Sequence, residues 1–472
     1  EKALKFIEES LTIDKFNLGC RFEKYFIGNN LTELQEMTSM LNGSVHNYIE
    51  YAFDFASAGM YEEASQIMHI YMEGRTDVYP MAAYMLGYFA SRSGNEEVAR
   101  QWYQKAQSLS PDKCFPNRID EINVLTDAMR MNPADYKAPY YLGNFWYAHR
   151  RYEEAISCWE KSVEINNQFP TALRNLSLAY YNKRNKKEEA RQLLEKAFEL
   201  DKTDSRIFME LDQLYKKMGR AHVERLALLE EHLDLVEQRD DLCIERITLY
   251  NLLGDYEKAK DLISNRKFHP WEGGEGKVTG QYILCRVELA KKAIKENRYS
   301  EAVALLKETE FYPHNLGEGK LSNAEENEVD YYKGIAYQKL GNDAESTKYL
   351  MKATQGSTEP QQAFYYNDQQ PDKIFYQGLA WRALGEENKA RSRFNKLIDH
   401  GKKHLFDDCK IDYFAVSLPE LAIWEDNLNI RNQIHCYYVM ALGYSGLGKE
   451  ELAEEYYEKV KRLDVNKQVF RM

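Results

Sequence analysis

The chain has 472 residues, 44% of them hydrophobic and 29% charged, the balance of a globular protein rather than a disordered or fibrous one. Lys and Arg number 63 against 75 Asp and Glu, and the resulting charge of −12 argues against nucleic acid or an anionic membrane surface as the main partner. No stretch approaches the roughly 18 consecutive apolar residues that a transmembrane helix needs.

Only 11 prolines against 35 tyrosines favour long helices carrying aromatic side chains at helical spacing. Residues 1–44 read as an N-terminal helical cap or linker, and after them one pattern recurs. Residues 80–113 carry Leu86, Gly87, Gly94, Ala99, Tyr103, Ala106 and Pro111; residues 136–169 repeat it with Leu142, Gly143, Trp146, Tyr152, Ala155, Trp159 and Lys161. It returns at Tyr180, Ala190 and Leu194, at Tyr250, Gly254, Ala259 and Ile263, at Gly378, Trp381, Gly385, Ala390 and Phe394, and at Tyr444, Gly448, Ala453 and Tyr457. Apolar residues recur at i, i+3, i+4 and i+7 within each unit, the spacing of one helix face. Gly87, Gly143, Gly334 and Gly378 stand where two helices must approach closely, and their expected partners are the small residues Ala99, Ala155 and Ala390. The bulky Tyr103, Trp159, Phe394 and Tyr457 are expected to fill the groove to the next unit. Gly59, Gly94, Gly219, Gly254, Gly341, Gly385 and Gly448 are predicted to end the first helix of each pair.

The pattern resembles the tetratricopeptide repeat, a unit of about 34 residues in two antiparallel helices. The resemblance implies an all-α fold, a right-handed solenoid of helix hairpins with a concave face. The spacing of the crossing residues refines this. Ala64 to Ala99 and Ala155 to Ala190 are each 35, the regular unit, whereas Ala99 to Ala155 is 56 and leaves room for an extra helix near 118–131. Beyond Ala259 the steps grow: 43 to Ala302, 44 to Ser346, 44 to Ala390 and 63 to Ala453. The sequence thus divides into the cap at 1–44, a regular array at 45–265, and an array with long inter-repeat insertions at 266–472. The added residues fall at about 266–280, 311–327, 355–372 and 399–430. All lie between one unit and the next, so they should share one edge.

Two insertions contain Gly-Glu-Gly-Lys, at 274–277 and 317–320. These segments, with 412–419 and 427–435, are similar to insertions in a Bacteroidetes family of uncharacterised proteins that join an N-terminal β-sandwich domain to a C-terminal tetratricopeptide array. The likeness covers about residues 110–465. It implies that a β-sandwich domain of the same protein is a candidate partner, a domain absent from this sequence. It brings no established activity. The chain begins at Glu1, which reads as the cut-out part of a longer product.

Chemistry is sparse. The Gly-Lys pairs lack the glycine five residues upstream and the following Ser or Thr of a phosphate loop, so no nucleotide or other cofactor is expected. Glu275 and Glu318 hold equivalent places on neighbouring loops. They read as a facing carboxylate pair of the kind glycoside chemistry uses, as contacts to a ligand or partner, or as turn residues in which Glu caps a helix and Lys pairs with it. His400 and His404 have the spacing of a metal pair, but Gly401 between them argues for a structural or solvated role, and no metal site is assigned. Seven scattered cysteines without a Cys-x-x-Cys pair read as buried thiols in a reducing, cytoplasmic setting, with export left open by the N-terminus.

The candidate binding residues on the insertions are Trp271, Glu272, Glu275, Lys277, His314, Glu318, Lys320, Tyr365, Tyr366, Asp412 and Tyr413, aromatic faces beside charged groups. A second set, Tyr84, Tyr88, Lys137, Tyr140, Asn144 and Arg174, would line a concave groove. The function expected is a non-catalytic interaction scaffold for a protein or peptide. The alternative is an accessory part of a carbohydrate-binding or carbohydrate-processing enzyme whose main domain lies elsewhere.

Overall fold

A computed structural model describes residues 2–271, 273–321, 324–363, 370–410 and 423–468. Among the described residues every regular element is helical, and no strand occurs. The helices gather into two compact units, Glu1–Asp201 and Lys202–Met472.

In the first unit Pro80–Arg92 pairs with Glu96–Ser108, Lys137–Ala148 with Tyr152–Ile165, and Pro170–Arg184 with Lys187–Leu200. Pro80 and Pro170 open their helices, where the missing N–H has no intrahelical partner to lose. Asn95 caps its helix by accepting from the Val98 N–H at 3.3 Å. The seven predicted corner glycines all adopt left-handed backbone, φ 71° to 84°, a region that L side chains enter only with strain. Where the corner lacks a glycine, Arg150, Asn185 and Asn297 take it at φ 61°, 52° and 60°.

The close approach inside each hairpin differs from the expectation. A Cβ added to Gly87 would stand 2.5 Å from the Tyr103 ring, to Gly143 2.5 Å from Trp159, to Gly334 2.6 Å from Leu350 and to Gly378 2.4 Å from Phe394. Each pair is sixteen residues apart (87 and 103, 143 and 159, 334 and 350, 378 and 394). The glycine is therefore a notch for the bulky side chain of its own hairpin. Ala99, Ala155 and Ala390 are wholly buried, but they are not what the notch receives.

The extra helix is present as Asp120–Met131 and packs on Pro80–Arg92. Tyr103 donates its hydroxyl to Asp127 at 2.6 Å, and Tyr84 donates to Asp135 at 2.8 Å.

The second unit runs from the helix Ser205–Lys217 to the helix Glu450–Leu463, and its end returns to its beginning. Asn466 donates its amide to Lys216 O at 3.0 Å and accepts from Arg225 at 3.2 Å. Trp424 Nε1 donates to Glu210 O at 3.1 Å, Lys217 pairs with Asp426, and the Gln281 and Gln468 side chains bond at 3.1 Å. These contacts flank a partly open cavity, the inner chamber of this unit, of about 810 Å³. All seven cysteines are free thiols.

Candidate functional site

Lengthened repeats face a local problem: the last carbonyls of a helix have no intrahelical donor, and a long loop must supply one. Asn315 answers it for the helix Tyr256–Asn265, donating to Ile263 O at 2.9 Å and Arg266 O at 2.8 Å. Phe268 N–H donates to Asn315 O at 2.7 Å, which zips the first insertion to the second. The later insertions also touch in turn. A Cβ on Gly356 would lie 2.6 Å from Glu325, and Gln362 reaches the Cys409 sulfur at 3.8 Å.

Glu318 accepts from Gly276 N–H at 3.1 and 3.2 Å and from the Thr279 hydroxyl at 3.2 Å. Its carboxylate thus caps the helix Lys277–Lys295 from the neighbouring repeat, where the helix dipole favours an anion. Lys320 donates to Thr309 O at 2.8 Å and pairs with Glu326 at 2.6 Å. Glu318 caps a helix as the turn reading has it, while Lys320 pairs with Glu326 and not with the loop's own glutamate. Glu275 is half-buried, and His314 is exposed in a short 3-10 turn. Glu272, Tyr365, Tyr366, Asp412 and Tyr413 lie outside the described residues.

Trp271 and Lys277 face elsewhere, onto the inner chamber of the second unit. The indole lies on Gly274, where a Cβ would come within 2.2 Å of the ring, so the glycine fixes the tryptophan's place. Lys216, Lys217, Glu245, Glu328, Asp372, Lys373 and Lys467 share the lining. Burial works against the ionised Glu245, but Lys216 and Arg225 outweigh it and hold its pKa at about 2. Burial likewise opposes the Lys373 ammonium, and Glu328 at 2.8 Å more than compensates, raising its pKa. None of these lining charges was singled out in the sequence, because they come from separate helices and the segment after the last one, with no local motif to mark them.

The groove set divides. Tyr84 has no exposed surface, and Lys137 and Tyr140 are buried, Lys137 donating its ammonium to Leu109 O. Tyr84 bonds Asp135, Lys137 reaches Leu109 O and Tyr140 packs on Phe169, so all three are taken up by neighbours within the array. Asn144 accepts from Trp159 at 3.1 Å and from Asn175 at 3.0 Å. Tyr88 and Arg174 are half-buried.

His400, His404 and His435 come together, with ring centroids 4.6 and 6.0 Å apart from His400. His404 bonds Asp407 and His435 bonds Gln361 O, each at 2.7 Å. No group of three or more His, Cys, Asp or Glu arranged to hold a metal is found among the described residues.

One family model described as tetratricopeptide repeat matches residues 82–113 and 434–466, and a second of the same description matches 171–200. The chain carries tetratricopeptide repeats. The matched segments are two hairpins of the first unit and the last hairpin of the second. Solved structures similar to the chain include the TPR domain of P58(IPK), at 12% identity over 98% of this chain and 97% of that one, TM-score 0.28. Pseudomonas aeruginosa pilF matches at 17% identity over 46% of this chain and 87% of its own, TM-score 0.27. YrrB, titled a TPR protein with an unusual peptide-binding site, matches at 15% identity over 43% and 95%, TM-score 0.20. Among the described residues no helix is long and apolar enough to cross a membrane.

Proposed function

We propose that this repeat protein is a non-catalytic interaction scaffold that takes a protein or peptide partner on the edge formed by its insertions. The observation that carries the reading is the loop 311–321. Phe311 and Leu321 are 78% and 70% exposed, yet the backbone between them is fixed by Asn315, Glu318 and Lys320. Exposed apolar side chains on an already ordered backbone bind with little further loss of conformational freedom. His314 lies between them and adds a polar contact that fixes orientation. Stacked helix hairpins are suited to this use, because insertions at one phase of the repeat build an extended surface.

The test is a phage-displayed peptide library selected on the wild type and counter-selected on the double variant Phe311→Asp, Leu321→Asp. Enriched peptides should bind the wild type at least about tenfold more tightly than the variant, a difference of about 1.4 kcal/mol, with equal melting temperatures. Lack of enrichment, or equal binding to both proteins, defeats the reading. Oligosaccharides that bind the wild type and are lost in the double variant would instead favour a carbohydrate at this edge.

A further inference from the structure

We infer that the inner chamber of the second unit is a binding site for a small organic anion, bearing a carboxylate or a phosphate, anchored by Lys277 beside the Trp271 ring. Most of the cavity's other charges form ion pairs, Lys467, Asp372 and Asp464 being the exceptions. Lys216 bonds Glu245 at 2.9 Å, Lys217 pairs with Asp426, Lys373 bonds Glu328 at 2.8 Å, and Asp241 bonds Arg239 at 2.7 Å. The Lys277 ammonium makes no hydrogen bond or ion pair with another described residue, although its side chain lines the chamber and is reached by water.

A structural role does not account for it. Lys277 opens the helix Lys277–Lys295, the end at which the helix dipole disfavours a cation. Lys277 keeps solvent exposure, and the partial burial of its side chain, with Lys216 nearby, lowers its pKa despite Glu245, Asp241 and Glu275. Lys467 is the other unpaired cation of the lining, but it lies over the Tyr438 ring at 5.2 Å and is partly offset by Asp372 and Asp464. Lys277 is left as the charge that an anion would complete.

Size and lining set the rest of the ligand. A volume of about 810 Å³ falls within the roughly 300–1,000 Å³ typical of small-molecule sites. The segments 423–426 and 464–468 contribute to its wall, and the cavity stays partly open to solvent. Polar side chains such as Gln213 share the wall with Ile244, Ile283 and Val287, a mixed lining for a partly hydrophilic body. Trp271, pinned on Gly274, offers a fixed flat wall.

Titration calorimetry at constant ionic strength, with citrate, inorganic phosphate and glucose 6-phosphate as probes and glucose as the neutral control, tests this. At least one anion should bind saturably and glucose should not. Citrate alone would identify a carboxylate site, and the phosphates a phosphate site. Lys277→Met should weaken that binding at least about tenfold, while Lys277→Arg, which keeps the charge, should stay within about threefold. Lys339→Met removes the same charge from an exposed helix end and should change nothing. Lys277→Gln serves as the second neutral variant should Lys277→Met fail a far-UV melting check. Absence of binding by all three anions, unchanged binding in the neutral Lys277 variants, or an equal loss in Lys339→Met overturns the inference. The edge variant Phe311→Asp, Leu321→Asp should bind the anion normally, so the two proposals stand or fall separately.

Discussion

His435 is buried, 8% exposed, and its Nε2 bonds the Gln361 carbonyl at 2.7 Å, a bond that favours the charged ring but is outweighed by burial. Burial first, then the nearby Lys467, pull its pKa down to about 3; burial and His404 pull His400 down to about 4. Unfolded histidines protonate near 6.5. Between that value and 3 to 4 the unfolded chain binds more protons, so stability is complete above about pH 6.5 and is lost as pH falls toward 4. Thermal melts from pH 7 to pH 4 should show this decline. His435→Gln, which keeps an N–H donor and does not titrate, should flatten it, and an unchanged slope would clear His435. The glycine notch gives a second prediction at this scale. Gly143→Ala would drive a methyl to 2.5 Å from Trp159, an overpacking expected to cost about 1–3 kcal/mol. A denaturant midpoint equal to wild type would show that the indole can move aside.

The lengthened repeats share a device at the level of the helix: a side-chain amide from another helix or loop meets the carbonyls at or just beyond a helix end. Asn327, 3% exposed, donates to Ala353 O at 2.8 Å and Gln355 O at 2.9 Å. Gln377 donates to Gln355 O and Ser357 O, each at 2.9 Å, and Asn432 donates to His404 O at 2.7 Å. Asn315 does the same for the helix Tyr256–Asn265. A short turn lets the corner glycine close a helix within a hairpin, whereas a loop of a dozen residues leaves those carbonyls to be met from outside. Asn327→Ala removes the donor from buried acceptors, so it should cost about 1–3 kcal/mol. Amide exchange should quicken around residues 353–357 while the first unit stays unchanged. Uniform exchange would argue that these amides are dispensable.

At the scale of the molecule, the second unit depends on contacts between its ends. Arg225 is wholly buried, bonded to Asp212 at 2.7 and 3.0 Å, to Glu245 at 2.7 Å and to Asn466 at 3.2 Å. Trp424 is 3% exposed with its indole N–H on Glu210 O. Trp424→Ala should therefore destabilise this unit by about 3–5 kcal/mol, and calorimetry should then resolve a separate, earlier transition for residues 202–472. A single transition shifted as a whole would mean that the two compact units unfold together.

How much of this was legible follows from the range of the forces. Helix faces, corner glycines, the regular step of 35 residues and the places where the period lengthens are set by neighbours within one hairpin, and the sequence displays them directly. Even there it misassigned a partner. The notch at Gly143 receives Trp159, sixteen residues on, because side chains on the second helix lean back across the crossing, a direction that spacing alone does not encode. The burial of Tyr84 and Lys137 depended on partners beyond their own hairpins' local pattern, Asp135 for Tyr84 and Leu109 O for Lys137. The chamber was beyond reach of any local pattern. Its closing bonds join Gln281 to Gln468, Arg225 to Asn466 and Lys216 to Asn466, separations of 187, 241 and 250 residues. By itself the sequence determined that this protein is an array of helix hairpins with an elaborated edge, because those features are repeated locally. Only the tertiary structure decided that the second unit closes and leaves Lys277 unpaired inside it, because closure is the accumulated sum of small rotations over many hairpins.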